Sequence, residues 1–164
     1  MCCIAGILFK HYKRPDLGLT TGQALTEMLH AQVHRGPDSA GWALYKNIHE
    51  GEIRLRFFIP QNGGSEEEIL KIKKTLAGQN AEIVQEQVLG CTYGVKVKYS
   101  RDIQKFSYVV GSVTELVSVG SSLDIVKDVG LPHDLAPRYD VYNFDGNHGL
   151  AHTRLATESG VHPN

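Results

Sequence analysis

Two residues near opposite ends of the sequence could supply a nucleophile and an anion-binding group. Cys2 follows Met1, so removal of Met1 would leave a thiol and an α-amine on one residue. The thiolate is the reactive form, and an α-amine with a pKa of about 7.7 to 8.0 can accept the thiol proton and later pass it to a leaving amine. Arg154 carries a planar guanidinium, which binds a carboxylate in bidentate fashion.

A second interpretation of Cys2 is a structural one. Free cysteine is among the most buried residue types, and residues 3–9 form an apolar run typical of a strand. On its own, Cys2 would therefore be a small core residue at the start of that strand. The segments around Arg154 and near residue 34 decide between the two interpretations.

Three ordered segments resemble the signature segments of the class II glutamine amidotransferases, the N-terminal-nucleophile glutaminase domains. They cover residues 1–7, 34–42 and 152–157. The long stretch between the second and third segments is similar to the glutamate-synthase-like branch, as are residues 116–130 and 157–159. The resemblance is closest to small stand-alone subunits of archaeal-type glutamate synthase and of methylamine-glutamate N-methyltransferase.

The resemblance implies roles for particular residues. Cys2 would attack the side-chain amide of glutamine, and Arg154 would hold the α-carboxylate of the substrate. Supporting roles in shaping the site and orienting its strands fall to His34, Arg35, Gly36, Asp38, His152, Thr153 and Thr157. In this class an Asn-Gly pair beyond the arginine supplies the oxyanion hole, and a further Asp holds the α-amine. Asn147 precedes His148 and Asn164 ends the sequence, so we expect neither group in this chain.

The implied fold class is α+β. It is the αββα four-layer sandwich of N-terminal-nucleophile hydrolases, incomplete at the C-terminus and with an α+β insert at 46–109. Residues 1–164 would then form the N-terminal part of one type-2 glutamine amidotransferase domain.

The resemblance also implies a reaction and its partners. Glutamine is hydrolysed through a γ-glutamyl thioester, and ammonia passes to a synthase partner. FMN and an iron–sulfur cluster are implied on the partner subunits and no cofactor in this chain, while the product could be glutamate or N-methylglutamate. Two alternatives stay open: a non-catalytic docking subunit of such a complex, and an N-terminal-nucleophile amidohydrolase that acts on another amide.

Composition narrows the function classes. Seventeen Lys and Arg balance eighteen Asp and Glu, and no long basic stretch occurs, which argues against nucleic acid or a membrane surface as partner. No apolar run approaches the length of a membrane span, and three cysteines without a framework spacing indicate a reducing cytoplasm.

Local patterns predict the elements that position these residues. A helix over 20–33 would be capped by Thr20 or Thr21, and a second helix over 65–77 by a capping box of Ser65 and Glu68. His30 and His34 have the spacing of a two-histidine metal face, although helix-end capping explains them better. The patterns also predict a loop at 34–39, strands at 3–9, 40–45, 52–59, 91–99 (with one face in water), 114–119 and 149–157, and a short helix at 122–128.

Overall fold

The computed structural model describes residues 2–10, 18–46, 49–59, 61 and 64–156. The chain divides into two compact units, Met1–Lys46 with Ile125–Asn164, and Asn47–Asp124. In order, the described elements are β1 (Cys3–Leu8), α1 (Thr21–His30), β2 (Ser39–Tyr45), β3 (Glu52–Phe58), α2 (Ser65–Gly78), β4 (Glu82–Leu89), β5 (Thr92–Lys98), α3 (Ile103–Gly111), β6 (Leu116–Gly120), β7 (Leu123–Val129), α4 (Pro132–Arg138) and β8 (His148–Arg154), with 3₁₀ turns at Val33–Arg35 and Val141–Asn143. The predicted α+β class is confirmed: these elements form two antiparallel sheets and four helices.

The sheet of the first unit has the order β1-β8-β2-β7. Because opposite residues in antiparallel strands point to the same face, the register defines two faces. The inner face carries the rows Cys3/Thr153/Ala40 and Ala5/Ala151/Trp42. The outer face carries the rows Ile4/His152/Gly41, Gly6/Leu150/Ala43 and Leu8/His148/Tyr45.

The inner face forms the core of this unit. Its rows, which include Trp42, are buried, and so are Leu25 and Leu29 of α1. Helix α1 lies against β1 and β8, and α4 lies against β2. The outer face is different, because its apolar residues Ile4 and Leu150 are exposed.

Helix α1 begins at the predicted cap, and Thr20 is the capping residue. The Thr20 hydroxyl accepts a hydrogen bond from the Gln23 backbone N–H at 3.0 Å, and the Gln23 side-chain oxygen accepts one from the Thr20 N–H at 2.8 Å. This reciprocal capping box satisfies two backbone donors that the first helical turn leaves unpaired.

The sheet of the second unit has the order β4-β5-β3-β6. Its apolar core includes Phe57, Tyr93 and Phe106, with residues of α2 and α3. The strand predicted at 91–99 is confirmed as β5, but its polar face reaches water only at the C-terminal end, at Lys96 and Lys98. Thr92 is fully buried on the polar face of β5, where it accepts a hydrogen bond from Arg56 at 3.0 Å.

Two further predictions are wrong. Strand β7 (Leu123–Val129) takes the place of the helix predicted at 122–128: Asp124, Val126 and Asp128 are buried while the residues between them are more exposed, which is a period of two. Helix α2 begins at Ser65 as predicted, but its N-cap is Gly64 and no side chain caps it. The sequence patterns also missed β4, α3 and α4.

Among the described residues, no helix is both long and apolar enough to cross a membrane.

A buried ion pair joins β3 to the start of β7 in the second unit. Arg56 donates from Nε and Nη2 to the two carboxylate oxygens of Asp124, each at 2.8 Å. Its side chain is 3% exposed, so the pair is shielded from water. Such a pair is costly to break, because the remaining charge stays buried without its partner.

We expect Arg56→Met to lower the free energy of unfolding by about 3–5 kcal/mol, because it leaves the Asp124 carboxylate uncompensated. The double variant Arg56→Met with Asp124→Leu should regain most of that loss. Arg54→Met is the matched control: Arg54 lies 4.0 Å from Asp124 and is more exposed, so it should cost less than about 1 kcal/mol. Denaturant unfolding checks all three, and equal losses for Arg54 and Arg56 would contradict the assignment.

Candidate functional site

The register of β1 and β8 brings Cys2 next to Arg154. Cys3 faces Thr153 across the two strands, so the residue before Cys3 and the residue after Thr153 adjoin at the same end of the sheet. Facing backbone positions in such a pair are about 5 Å apart. Cys2 is exposed whereas Cys3 is buried, so the interpretation of Cys2 as a core residue is wrong.

The sheet also sorts the predicted site residues by face. Arg154 and His152 alternate with Thr153 along β8, and His152 belongs to the outer face. Cys2 precedes the inner-face residue Cys3, which places it on the outer side with His152 and Arg154. Thr153 points the other way: it is fully buried, and its hydroxyl has no hydrogen-bond partner among the described residues.

The loop before β2 lies along the end of β8. Asp38 donates its backbone N–H to the Arg154 carbonyl at 3.1 Å, and its carboxylate accepts the Ala156 N–H at 2.7 Å. The Asp38 carbonyl in turn accepts the Gly130 N–H at 3.0 Å. Asp38 therefore holds the chain at Arg154 and at Ala156, and ties it to the residue that follows β7.

Gly36 is the point of closest approach in this loop. A Cβ atom built at Gly36 would lie 2.8 Å from the Arg154 nitrogen and 2.8 Å from the Thr153 carbonyl carbon. Real Cβ atoms do not approach a backbone this closely, so only glycine fits. The loop predicted at 34–39 overlaps a 3₁₀ turn at Val33–Arg35. His34 and Arg35 of that turn are exposed.

Other candidate residues are placed elsewhere. Thr157 lies outside the described residues. Asn147 precedes β8 and therefore lies about 20 Å of strand away from Arg154. His30 ends α1 and stacks its ring on His133, with centroids 3.9 Å apart. Within the described ranges, no group of three or more His, Cys, Asp or Glu could hold a metal ion.

The imidazole of His152 lies in a positively charged environment. Partial burial, then the nearby charges of Arg154 and Lys127, lower the pKa of His152 below its usual value of 6.5. The ring reaches across the sheet toward β2, because a Cβ atom built at Gly41 would lie 2.9 Å from its Nε2. At neutral pH, His152 is therefore an uncharged group between two cations.

Sequence reasoning missed Lys127 and gave Gly41 no separate role. Gly41 lies inside the second resembling segment. The helix predicted over 122–128 gave no indication that Lys127 lies near His152, because only a strand places both residues on the same face. The alternation of buried and exposed residues along β7 is the signal that identifies that strand.

The chain is 33% identical over 165 residues to the glutamine amidotransferase-like protein GlxB of Rhizobium meliloti, covering 98% of this chain and 52% of that protein. It is 31% identical over 172 residues to a Methanothermobacter thermautotrophicus protein named "Putative glutamine amidotransferase", covering 98% and 54%. Both relatives carry names of glutamine amidotransferases or of proteins like them. The chain spans about half the length of these curated relatives. No protein-family model matches it.

Gly36→Ala should lower the free energy of unfolding by about 1–3 kcal/mol, because the added methyl group forces the loop away from β8. Gly78→Ala is the matched control: a Cβ there meets nothing within 4 Å, and it sits at the end of helix α2, so stability should stay the same or rise slightly. Thermal unfolding of both variants checks this, and equal melting temperatures would show that Gly36 does not contact β8 as described.

The imidazole of His152 should titrate below pH 6.5, and Arg154→Met should raise its pKa by removing a positive charge. The unfolded chain then binds more protons than the folded one just below pH 6.5. The stability that the neutral imidazole contributes is therefore complete above pH 6.5 and is lost as the pH falls through the folded pKa. NMR titration of the imidazole measures this directly. Lys98→Met, a substitution in the second unit, should leave the His152 titration unchanged.

Proposed function

We propose that the chain is the glutaminase module of a class II glutamine amidotransferase of the glutamate-synthase-like branch. The observation that carries this proposal is the register of β1 and β8, which sets Cys2 beside Arg154 at one end of the sheet. The similarity to proteins named as glutamine amidotransferases supports the choice of substrate.

The proposed reaction begins once Met1 has been removed. The α-amine of Cys2 takes the thiol proton, and the thiolate attacks the side-chain amide carbon of glutamine. The C–N bond breaks as the amine returns the proton to the leaving nitrogen, which yields ammonia and a γ-glutamyl thioester. Water then attacks the thioester, releases glutamate and restores the thiol.

Arg154 is proposed to bind the α-carboxylate of glutamine. Its guanidinium matches a carboxylate in two parallel hydrogen bonds, and Asp38 holds the backbone at the Arg154 carbonyl and at the Ala156 N–H. Asp38 and Gly36 are thus positioning residues, because they act on the substrate only through Arg154. His34, Arg35 and Thr157 stay proposed supporting residues.

The proposed fold is the αββα sandwich, in which a second sheet packs on the outer face. The exposed apolar residues Ile4, Leu8 and Leu150 on that face support this arrangement. Residues 46–109 are proposed as a family-specific insert. The ammonia would pass to a glutamate-synthase-like partner subunit that carries FMN and an iron–sulfur cluster in the cytoplasm.

Covalent labelling tests the proposed function. 6-Diazo-5-oxo-L-norleucine, a glutamine-like diazoketone, alkylates a thiolate: its terminal carbon takes up a proton, and the sulfur displaces N₂ from that carbon to form a thioether. We expect a single adduct, located on Cys2 by mass spectrometry, that glutamine prevents and that Cys2→Ala abolishes. Cys91→Ala is the matched control and should label normally.

The other outcomes separate the alternatives. Retention of Met1 without labelling would favour a non-catalytic docking subunit. Labelling of Cys2 that glutamine does not prevent would favour an amidohydrolase for another amide. Labelling of Cys91 alone would contradict the assignment of the nucleophile.

Arg154→Lys should raise the glutamine KM at least about tenfold, because about one charged hydrogen bond to the substrate is lost. We expect kcat to change less than about threefold. Lysine keeps the charge but cannot form the bidentate contact. Arg101→Lys, at an exposed position in the second unit, is the control and should change neither constant. An unchanged KM for Arg154→Lys would remove Arg154 as the carboxylate-binding group.

A further inference from the structure

A row of outer-face residues crosses the whole sheet of the first unit. Ile4, His152 and Gly41 are paired across β1, β8 and β2. The row continues onto β7, because a Cβ atom built at Gly41 would lie 3.3 Å from the Cβ of Lys127. The same built atom would lie 2.9 Å from Nε2 of His152. Lys127 and His152 therefore face each other across a glycine.

The absence of a side chain at Gly41 is what allows this approach. In an ordinary sheet, residues two strands apart are separated by about 9.5 Å and by the side chain of the strand between them. Here β2 contributes only hydrogen at that position, so the space above it is shared by the imidazole from β8 and the side chain from β7. Any larger residue at position 41 would separate them.

The charges in this row complement the proposed substrate. Arg154 lies two residues beyond His152 on the same face, so the imidazole stands between one cation on its own strand and another on β7. Both cations act on the His152 ring. We therefore expect the charge of Lys127 to act on a substrate anion held by Arg154 as well.

We propose that Lys127 is a specificity-determining residue that, together with Arg154, selects substrates with a free α-carboxylate. This inference rests on the proposed glutaminase function. Arg154 supplies the bidentate contact, and Lys127 supplies a second positive charge across Gly41. An amide whose α-carboxylate is blocked gains nothing from that second charge, so Lys127 discriminates against it.

The experiment compares two labels on the full chain. Second-order rates of Cys2 alkylation are measured with 6-diazo-5-oxo-L-norleucine and with its methyl ester, which lacks the carboxylate charge. The variants are Lys127→Met, Lys127→Arg and the control Lys98→Met, a surface lysine of the second unit. Thermal unfolding confirms that each variant is folded.

Lys127→Met should slow alkylation by the free acid about tenfold, equivalent to about 1.4 kcal/mol, and change alkylation by the ester less than twofold. Lys127→Arg should restore most of the preference for the acid, and Lys98→Met should keep all of it. A role in packing alone would slow both labels equally.

Two different failures are distinguishable. If the wild-type chain labels at Cys2 but Lys127→Met keeps the same acid-to-ester ratio, the role of Lys127 is overturned and the proposed function stands. If the wild-type chain does not label at Cys2 at all, the proposed function is overturned, and the role of Lys127 with it.

Discussion

The antiparallel pairing of β1 with β8 is the constraint on which the candidate site depends. Cys2 and Arg154 are far apart in the sequence, and only the register of these strands makes them neighbours. A slip of one residue would turn Arg154 to the inner face and bring Thr153 to the outer one. The small buried residues Ala5 and Ala151 oppose that slip, because it would force larger outer-face side chains into the space under α1.

A second constraint fixes the end of β8. The last residues of a strand tend to fray, because they lack neighbours on one side. Here the loop before β2 supplies those neighbours: Gly36 packs on the backbone, and Asp38 uses its N–H, carbonyl and carboxylate to bind three separate groups. The position of Arg154 is therefore set by backbone contacts that do not involve its own side chain.

The sequence predicted the elements in which apolar residues recur at a regular spacing. β1, β2 and β3 read as strands, and Thr20 marked the start of α1. The sequence patterns predicted a helix at 122–128, where β7 lies and where two of the residues are Asp124 and Asp128. Both are in fact buried, with Asp124 paired to Arg56 and Asp128 accepting the Tyr139 hydroxyl at 2.7 Å. Buried ion pairs are formed between distant segments, so no local pattern reveals them. The same error left Lys127 unidentified, because the sheet face to which it belongs can be assigned only when the segment is a strand.

The outer face combines two requirements that conflict in water. For the proposed function it needs charged and neutral polar groups around Cys2, yet the same face presents Ile4, Leu8 and Leu150 to solvent. The proposed second sheet resolves this conflict, and it also changes the electrostatics of the site. Covering the face removes water from around His152, which disfavours its charged form, and it strengthens the attraction of Arg154 and Lys127 for a carboxylate. Apolar packing and carboxylate recognition on this face would then reinforce each other, since the layer that buries the leucines also lowers the dielectric constant around the cations.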